Sequence, residues 1–279
     1  MRESRYVQVA RIAYTLAQAT LPTYSHAKSP RRFTLPQRAA CVVLMTYLRL
    51  SSRDMEEWLL ASSEVRTVLG LGEHVPDHST LTRTQAQLTI ARLTAMQQTL
   101  LQKVEVEEVA VAVDTTNFRL QHASAYYMTR TGRQYKDWVK GGYAVGIHSQ
   151  LILAWRSGRG LACGSDIHYL VPLRRQAARW MRRDSWVVIA DSGFDGRVTK
   201  PYDLIPVLRR NYDIKAPERK ARADLVSQAR LDGLYGQRWK VETVHSVMKR
   251  KFGDTIRSRR RLLQFREPLL KALVYNIHV

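Results

Sequence analysis

The chain has 279 residues, of which 45% are hydrophobic and 25% charged, proportions close to the globular average that exclude a disordered or low-complexity protein. Against 24 Asp and Glu stand 45 Lys and Arg, a formal net charge of +21 and a pI near 10.4, so a polyanion is the expected partner. No run of apolar residues is long enough to span a bilayer, and the N-terminal stretch Met1–Tyr14 carries charges where a signal peptide would be apolar; a cytoplasmic protein with no membrane attachment is expected.

Charge is unevenly spread. From Arg197 to Lys271 there are 20 basic and 8 acidic residues, more than half of the excess in about a quarter of the chain. These cations are interleaved with apolar positions and do not lie along one amphipathic helix, which favours nucleic acid over a lipid surface. The two cysteines, Cys41 and Cys163, lack metal-ligand spacing and read as packing residues.

The first hundred residues have the 3.6-residue periodicity of helices. Leu35–Leu50 reads as a buried helix, Arg53–Ala61 places Met55, Trp58, Leu59 and Leu60 near one face, and Leu81–Val104 reads as one long amphipathic helix. Between them, two glycines and a proline in Leu69–Thr80 break the pattern, and Asp77 or Ser79 is suited to cap the next helix. Short helices around a turn suggest a helix-turn-helix, although the same helices serve equally well as a packing or dimerisation face.

Near Glu105 the pattern changes to the apolar run Val109–Val113, suited to a strand buried on both faces. Further strands are expected at Tyr143–His148, Leu151–Trp155, Trp186–Ala190 and Leu204–Leu208, with a helix over Ile167–Arg182. This alternation predicts an α/β fold with a mixed sheet. The expected division is a helical domain, 1–105, for DNA binding or dimerisation, and an α/β domain, 106–279.

Two of the predicted buried strands run into an aspartate: Val109–Val113 into Asp114, and Trp186–Ala190 into Asp191, followed by Ser192, Gly193 and Phe194. Functional groups collect at the carboxyl ends of strands in open α/β sheets, so neighbouring strands would bring the two carboxylates together. A divalent cation would then offset their repulsion. The plainer reading is that each aspartate caps a turn.

Downstream, Tyr235, Arg238, Glu242 and Lys249 fall within an arc of roughly 60° on a helix of 3.6 residues per turn. An adjacent stripe holds Val241, Val244 and Met248. Taken alone, the polar stripe is also what a solvated face with an Arg238–Glu242 ion pair would show.

These residues carry a family resemblance. Tyr235, Arg238, Glu242 and Lys249 reproduce in type and spacing the Y-(2)-R-(3)-E-(6)-K signature of DDE transposases of bacterial and archaeal insertion sequences, the IS4/IS5 superfamily. Asp191–Phe194 resembles that family's second-aspartate motif, and Asp114 stands where its first aspartate closes the first strand. The segments Ser29–Gln37, Arg49–Leu59 and Gly70–Arg83 resemble the N-terminal helical region of the IS5-like members, so the likeness covers nearly the whole chain.

The resemblance implies an RNase H-like core in which Asp114, Asp191 and Glu242 hold two Mg2+ ions, with Mn2+ able to substitute. It implies strand cleavage at transposon ends and joining to target DNA by a homodimer assembled on double-stranded DNA. Tyr235, Arg238 and Lys249 are then expected at the DNA phosphates, and Arg259, Arg260 and Arg261 along the backbone. The interval from Asp191 to Glu242 is too short for the β-rich insertion of some relatives, and Trp239 reads as a packing residue. Asp195 reads as a helix cap. Asp166, which with His168 is within reach of a metal, also reads as a cap because it directly precedes a helix.

Overall fold

The computed structural model describes residues 3–28, 30–120, 130, 138–159, 164–182, 185–208 and 214–279; Cys163 lies outside them. By internal contacts the chain divides into two compact units, one of Met1–Glu105, Arg250–Gly253 and Ser258–Val279, the other of Val106–Lys249 and Asp254–Arg257. The C-terminal helix therefore groups with the N-terminal helices, where a continuous 106–279 domain was expected. Its apolar residues explain this: Leu269, Leu270, Ala272, Leu273, Val274, Tyr275 and Ile277 are all buried, and it packs on other helices of that unit.

The first unit is helical. It contains α1 (Arg5–Thr20), α2 (Leu35–Leu48), α3 (Ser52–Ala61), α4 (Ser63–Leu69), α5 (His78–Gln87), α6 (Ile90–Lys103) and, from the end of the chain, α10 (Arg261–His278). Thr34 and Ser51 begin α2 and α3 with reciprocal capping boxes, each satisfying orphan amides of a first turn. Asp77 caps α5, accepting from the Thr80 amide at 2.6 Å. The long helix expected over 81–104 is two helices, because Thr89 starts a new one by accepting from the Arg92 amide while buried Leu88 turns out of the ladder. Cys41 and Leu44 lie in the core, whereas Leu60 is exposed.

The second unit is built on a mixed sheet of β1 (Ala110–Leu120), β2 (Trp138–Gly146), β3 (Ile152–Arg159), β4 (Val187–Ile189) and β5 (Thr255–Ile256). The strand order is β3-β2-β1-β4, with β5 also paired to β1. The first three strands form an antiparallel meander, and β4 and β5 lie parallel to β1. Leu204 adds a parallel bridge to Ile189 but founds no strand over 204–208. Around the sheet stand α7 (Ile167–Ala177), α8 (Pro217–Leu231) and α9 (Trp239–Phe252). The expected helix over 167–182 ends early, passing into a 3-10 turn at Ala178–Trp180. This is the RNase H-like α/β architecture, preceded by a helical region.

Strand β1 runs six residues past Asp114, so that aspartate sits within the strand and does not close it. Residues 110–113 are buried, and beyond Asp114 the exposure alternates up to buried Phe118 and Leu120, as expected where a strand leaves a two-sided core but keeps its ladder with β2.

Candidate active site

Register determines where the first two carboxylates meet. Ala112 of β1 pairs with Ile189 of parallel β4. Asp114 and Asp191 each lie two residues further on, so they emerge at the same level from neighbouring strands, which are spaced about 4.8 Å apart. Asp191 also starts a 3-10 turn, its Oδ1 accepting from the Gly193 amide at 2.8 Å. The turn-cap reading of Asp191 is thus met by this side chain.

Burial pushes the Asp114 carboxyl up to about 6. The Thr115 amide, donating to Asp114 Oδ1 at 2.8 Å, pulls it down; Asp191 and Glu242 push it up, and Arg238 opposes them. Asp114 therefore feels both other carboxylates of the signature, although they come from segments far apart in the chain. Among the described residues, no three His, Cys, Asp or Glu side chains form a ready metal cluster.

Glu242 lies in the first turn of α9, half exposed, paired with Arg238 at 2.5 Å. The ion pair of a solvated face thus forms at the position where the signature places a ligand. Tyr235 and Arg238 do not belong to the α-helix. They occupy a 3-10 turn, Tyr235–Arg238, that leads into it, a tightening common at helix N-termini, in which residues three apart eclipse. Both consequently stay on one side. The Tyr235 hydroxyl donates to the Ala190 carbonyl at 3.4 Å, beside Asp191, and Arg230 lies 5.1 Å over its ring. Lys249, two turns beyond Glu242, lies 5.8 Å over the Phe118 ring. Burial lowers its ammonium pKa, as does Arg119, whereas Asp254 and Asp114 raise it.

Arg259, Arg260 and Arg261 are exposed and belong to the helical unit, so the structure does not group them with these residues. Trp239, expected to pack, is 51% exposed, while buried Val241, Val244 and Met248 anchor α9.

His245 is a residue the motif reading missed. It is buried, its Nδ1 lies 3.5 Å from Asp114 Oδ2, and its ring meets that of Tyr143 edge-on at 5.5 Å. Burial, reinforced by Lys249, lowers its pKa to about 3, so it is neutral near pH 7. Its Nε2 is buried with no hydrogen-bond partner among the described residues. The signal was present: His245 falls one turn from Glu242 and from Lys249, on the same polar stripe.

Asp166 does not cap α7. Its backbone is helical and its side chain makes no cap hydrogen bond. Instead Oδ1 accepts from the Thr115 hydroxyl at 2.7 Å and from Lys140 Nζ at 2.8 Å, so the carboxylate is tied to the residue next to Asp114. On its other side a Cβ added at Gly193 would stand 3.0 Å from Asp191 Oδ1, pressing on that carboxylate, and 3.4 Å from Asp166 Oδ2, in ordinary contact. Nothing in the sequence marks Lys140, because β2 brings it there through register alone.

Asp195 is likewise no helix cap. It is nearly fully buried and ion-paired with Arg222 and, at 2.5 Å, with Arg219, and it accepts from the Leu208 amide at 2.8 Å. It clamps α8 behind the Asp191 turn.

Among the described residues no helix is long and apolar enough to cross a membrane. Neither the curated proteins nor the solved structures provided a match to the chain. A family model described as the transposase DDE domain matches residues 106–277, a span of more than half the chain that contains Asp114, Asp191 and Glu242, and the protein therefore belongs to the transposase DDE domain family.

Proposed function

We propose that the protein is a DNA transposase of the IS4/IS5 type, which cuts transposon ends and joins them to target DNA at a site formed by Asp114, Asp191 and Glu242. The observation that carries this reading is the β1–β4 register that brings Asp114 level with Asp191, with the partly buried Asp114 carboxyl pushed up by burial, Asp191 and Glu242. Crowded oxygen donors of one sign suit a hard divalent cation, Mg2+ or Mn2+, better than zinc. Mg2+ is commonly held by one or two carboxylates together with substrate phosphates. A site that becomes complete only with DNA bound is therefore consistent with the lack of a ready metal cluster among the described residues.

Asp114 within β1 and Asp191 just beyond the end of neighbouring β4 would be the first ligands, and Glu242 would join from α9. A pair of ions there would activate water in cleavage or a DNA 3′-hydroxyl in joining, and would stabilise the leaving oxygen. Neutral His245 stands beside Asp114, its Nδ1 3.5 Å from Oδ2. Arg238 is placed to exchange Glu242 for a phosphate, and Lys249 adds a cation from the same helix. Double-stranded DNA is the substrate, and two copies paired on it would process two ends together.

The test incubates the full chain with supercoiled plasmid and a labelled duplex bearing a free 3′-hydroxyl, with Mg2+, Mn2+ or chelator. Metal-dependent cleavage together with covalent transfer of the label is expected. Cleavage without transfer would leave a nuclease, and DNA binding with no cleavage in either metal would leave a transposase-derived binding protein.

A further inference from the structure

A second charged cluster lies in the helical unit, and its sign is opposite. Arg5 opens α1, Tyr47 sits near the end of α2, Lys251 comes from Arg250–Gly253, and His278 ends α10. Lys251 Nζ is 2.7 Å from His278 Nε2, and the Tyr47 hydroxyl is 3.4 Å from His278 Nδ1. The Lys251 ammonium also lies 5.5 Å over the Tyr47 ring, and the rings of Tyr47, Phe252 and His278 pack against one another at 5.7–6.1 Å. Arg5 is within hydrogen-bonding reach of the Tyr47 side chain.

The hydrogen-bond roles follow from chemistry. An ammonium has donors only, so Nε2 of His278 accepts from Lys251, the ring proton sits on Nδ1, and the Tyr47 oxygen accepts from it. This leaves the Tyr47 O–H and the remaining N–H groups of Lys251 and of the Arg5 guanidinium as donors. The charges acting on Lys251 and His278 among the described residues are cations: Arg5 on the first, Lys251 and Arg5 on the second. Burial first, and these neighbouring cations second, lower the pKa of both groups. The ends of α9 and α10 supply partial negative charge near Lys251 and His278, but Arg5 stands at the positive end of α1, whose first turn holds no acidic residue. Two cations, Lys251 and Arg5, held close together with donors to spare, are arranged for an anion.

We propose that Arg5, Tyr47 and Lys251, with His278 as the scaffold that orients the last two, form a binding site for a DNA backbone phosphate in the helical unit. DNA is favoured over a free anion because the chain carries a net +21 and belongs to a transposase family. The proposal shares with the preceding section only the partner, and it does not depend on cleavage. A phosphate bound here would use two charge-assisted contacts and one neutral one, anchoring duplex without reading sequence.

The test measures binding of the full chain to a short labelled duplex of random sequence by anisotropy across a salt series, without divalent metal. Arg5→Gln and Lys251→Gln should each lower the slope of log K against log salt by about 0.9, the loss of one phosphate contact. Tyr47→Phe keeps the ring and should weaken binding with the slope unchanged. Thermal melting of the free chain distinguishes this from misfolding: relief of repulsion should leave Lys251→Gln at least as stable as the parent. Unchanged slopes in both charge variants would overturn the proposal. So would a melting shift with inorganic phosphate, lost in Lys251→Gln, if DNA binding by that variant stayed at the parent level; the cluster would then be a free-anion site. Since cleavage is not read, a chain without nuclease activity can still pass, and a competent transposase can still fail.

Discussion

The two units solve opposite electrostatic problems. In the sheet unit, carboxylates are brought together: Asp114 is raised by burial and by Asp191 and Glu242, while the surrounding cations are largely committed, Lys140 to Asp166, Arg174 to Asp203, and Arg219 and Arg222 to Asp195. In the helical unit, cations are brought together, with Arg5 acting on Lys251 and both acting on His278. Each cluster is unfavourable in isolation and would be relieved by a ligand of the opposite charge, under the two proposals a divalent cation in one and a phosphate in the other. Strain of this kind persists where function requires it, and the comparison can be tested from both sides.

The largest effect is expected at the negative cluster. Asp114→Ala, Asp191→Ala and Glu242→Ala should each lower metal-dependent cleavage by about three orders of magnitude or more, since a metal site supplies several kcal/mol of transition-state stabilisation. Binding to duplex in gel retardation should stay near the parent level. Full cleavage by any one of them would remove that residue from the site.

Committed pairs should behave differently from the unpaired clusters. Asp195 and Arg222 are both nearly fully buried, so Asp195→Ala leaves an uncompensated buried guanidinium and should cost about 3 to 5 kcal/mol in urea unfolding. A loss below about 1 kcal/mol would show that this pair does not clamp α8.

Asp114 gives the sign test. Its folded value of about 6 lies above the ordinary 3.8, so between those limits the folded chain holds a proton that the unfolded chain has released. Stability is therefore full below about pH 4 and falls as pH rises through about 6. In chelator at pH 7, Asp114→Asn should stabilise the fold by on the order of 2 kcal/mol, while added Mg2+ should raise the melting temperature of the parent more than that of the variant. Destabilisation by Asn in chelator would show that the carboxylate is not under strain.

The smallest effects belong to exposed cations. Arg259→Ala, Arg260→Ala and Arg261→Ala should each weaken duplex binding a few-fold and reduce the salt slope by at most about 0.9, with cleavage at saturating protein unchanged. If their loss abolished cleavage at saturation, these arginines would act at the reacting phosphates.

Local pattern by itself determined much of this. Val109–Val113 reads as a buried strand because an unbroken apolar run suits a strand covered on both faces, which holds for Ala110–Val113 but not for exposed Val109, and Glu242 and Lys249 share a face because a 3.6-residue period survives in any context. Where a local rule had two readings, the sequence left the choice open. An aspartate before a helix caps it or does something else, and Asp166 and Asp195 both do something else: one holds Lys140 and Thr115, the other anchors Arg219 and Arg222. Similarly, Thr89 divided an apparently continuous amphipathic run because a cap stabilises a helix start more than periodicity opposes it.

Tertiary structure alone decided which remote groups meet. The level pairing of Asp114 with Asp191 depends on the register of β1 against β4, and the meeting of Tyr47, Lys251 and His278 on the packing of three helix ends. The C-terminal helix joined the N-terminal ones because they share a buried apolar face. Such contacts leave no periodic trace in the chain, since the free energy that forms them comes from burying surfaces whose residues are tens to hundreds of positions apart.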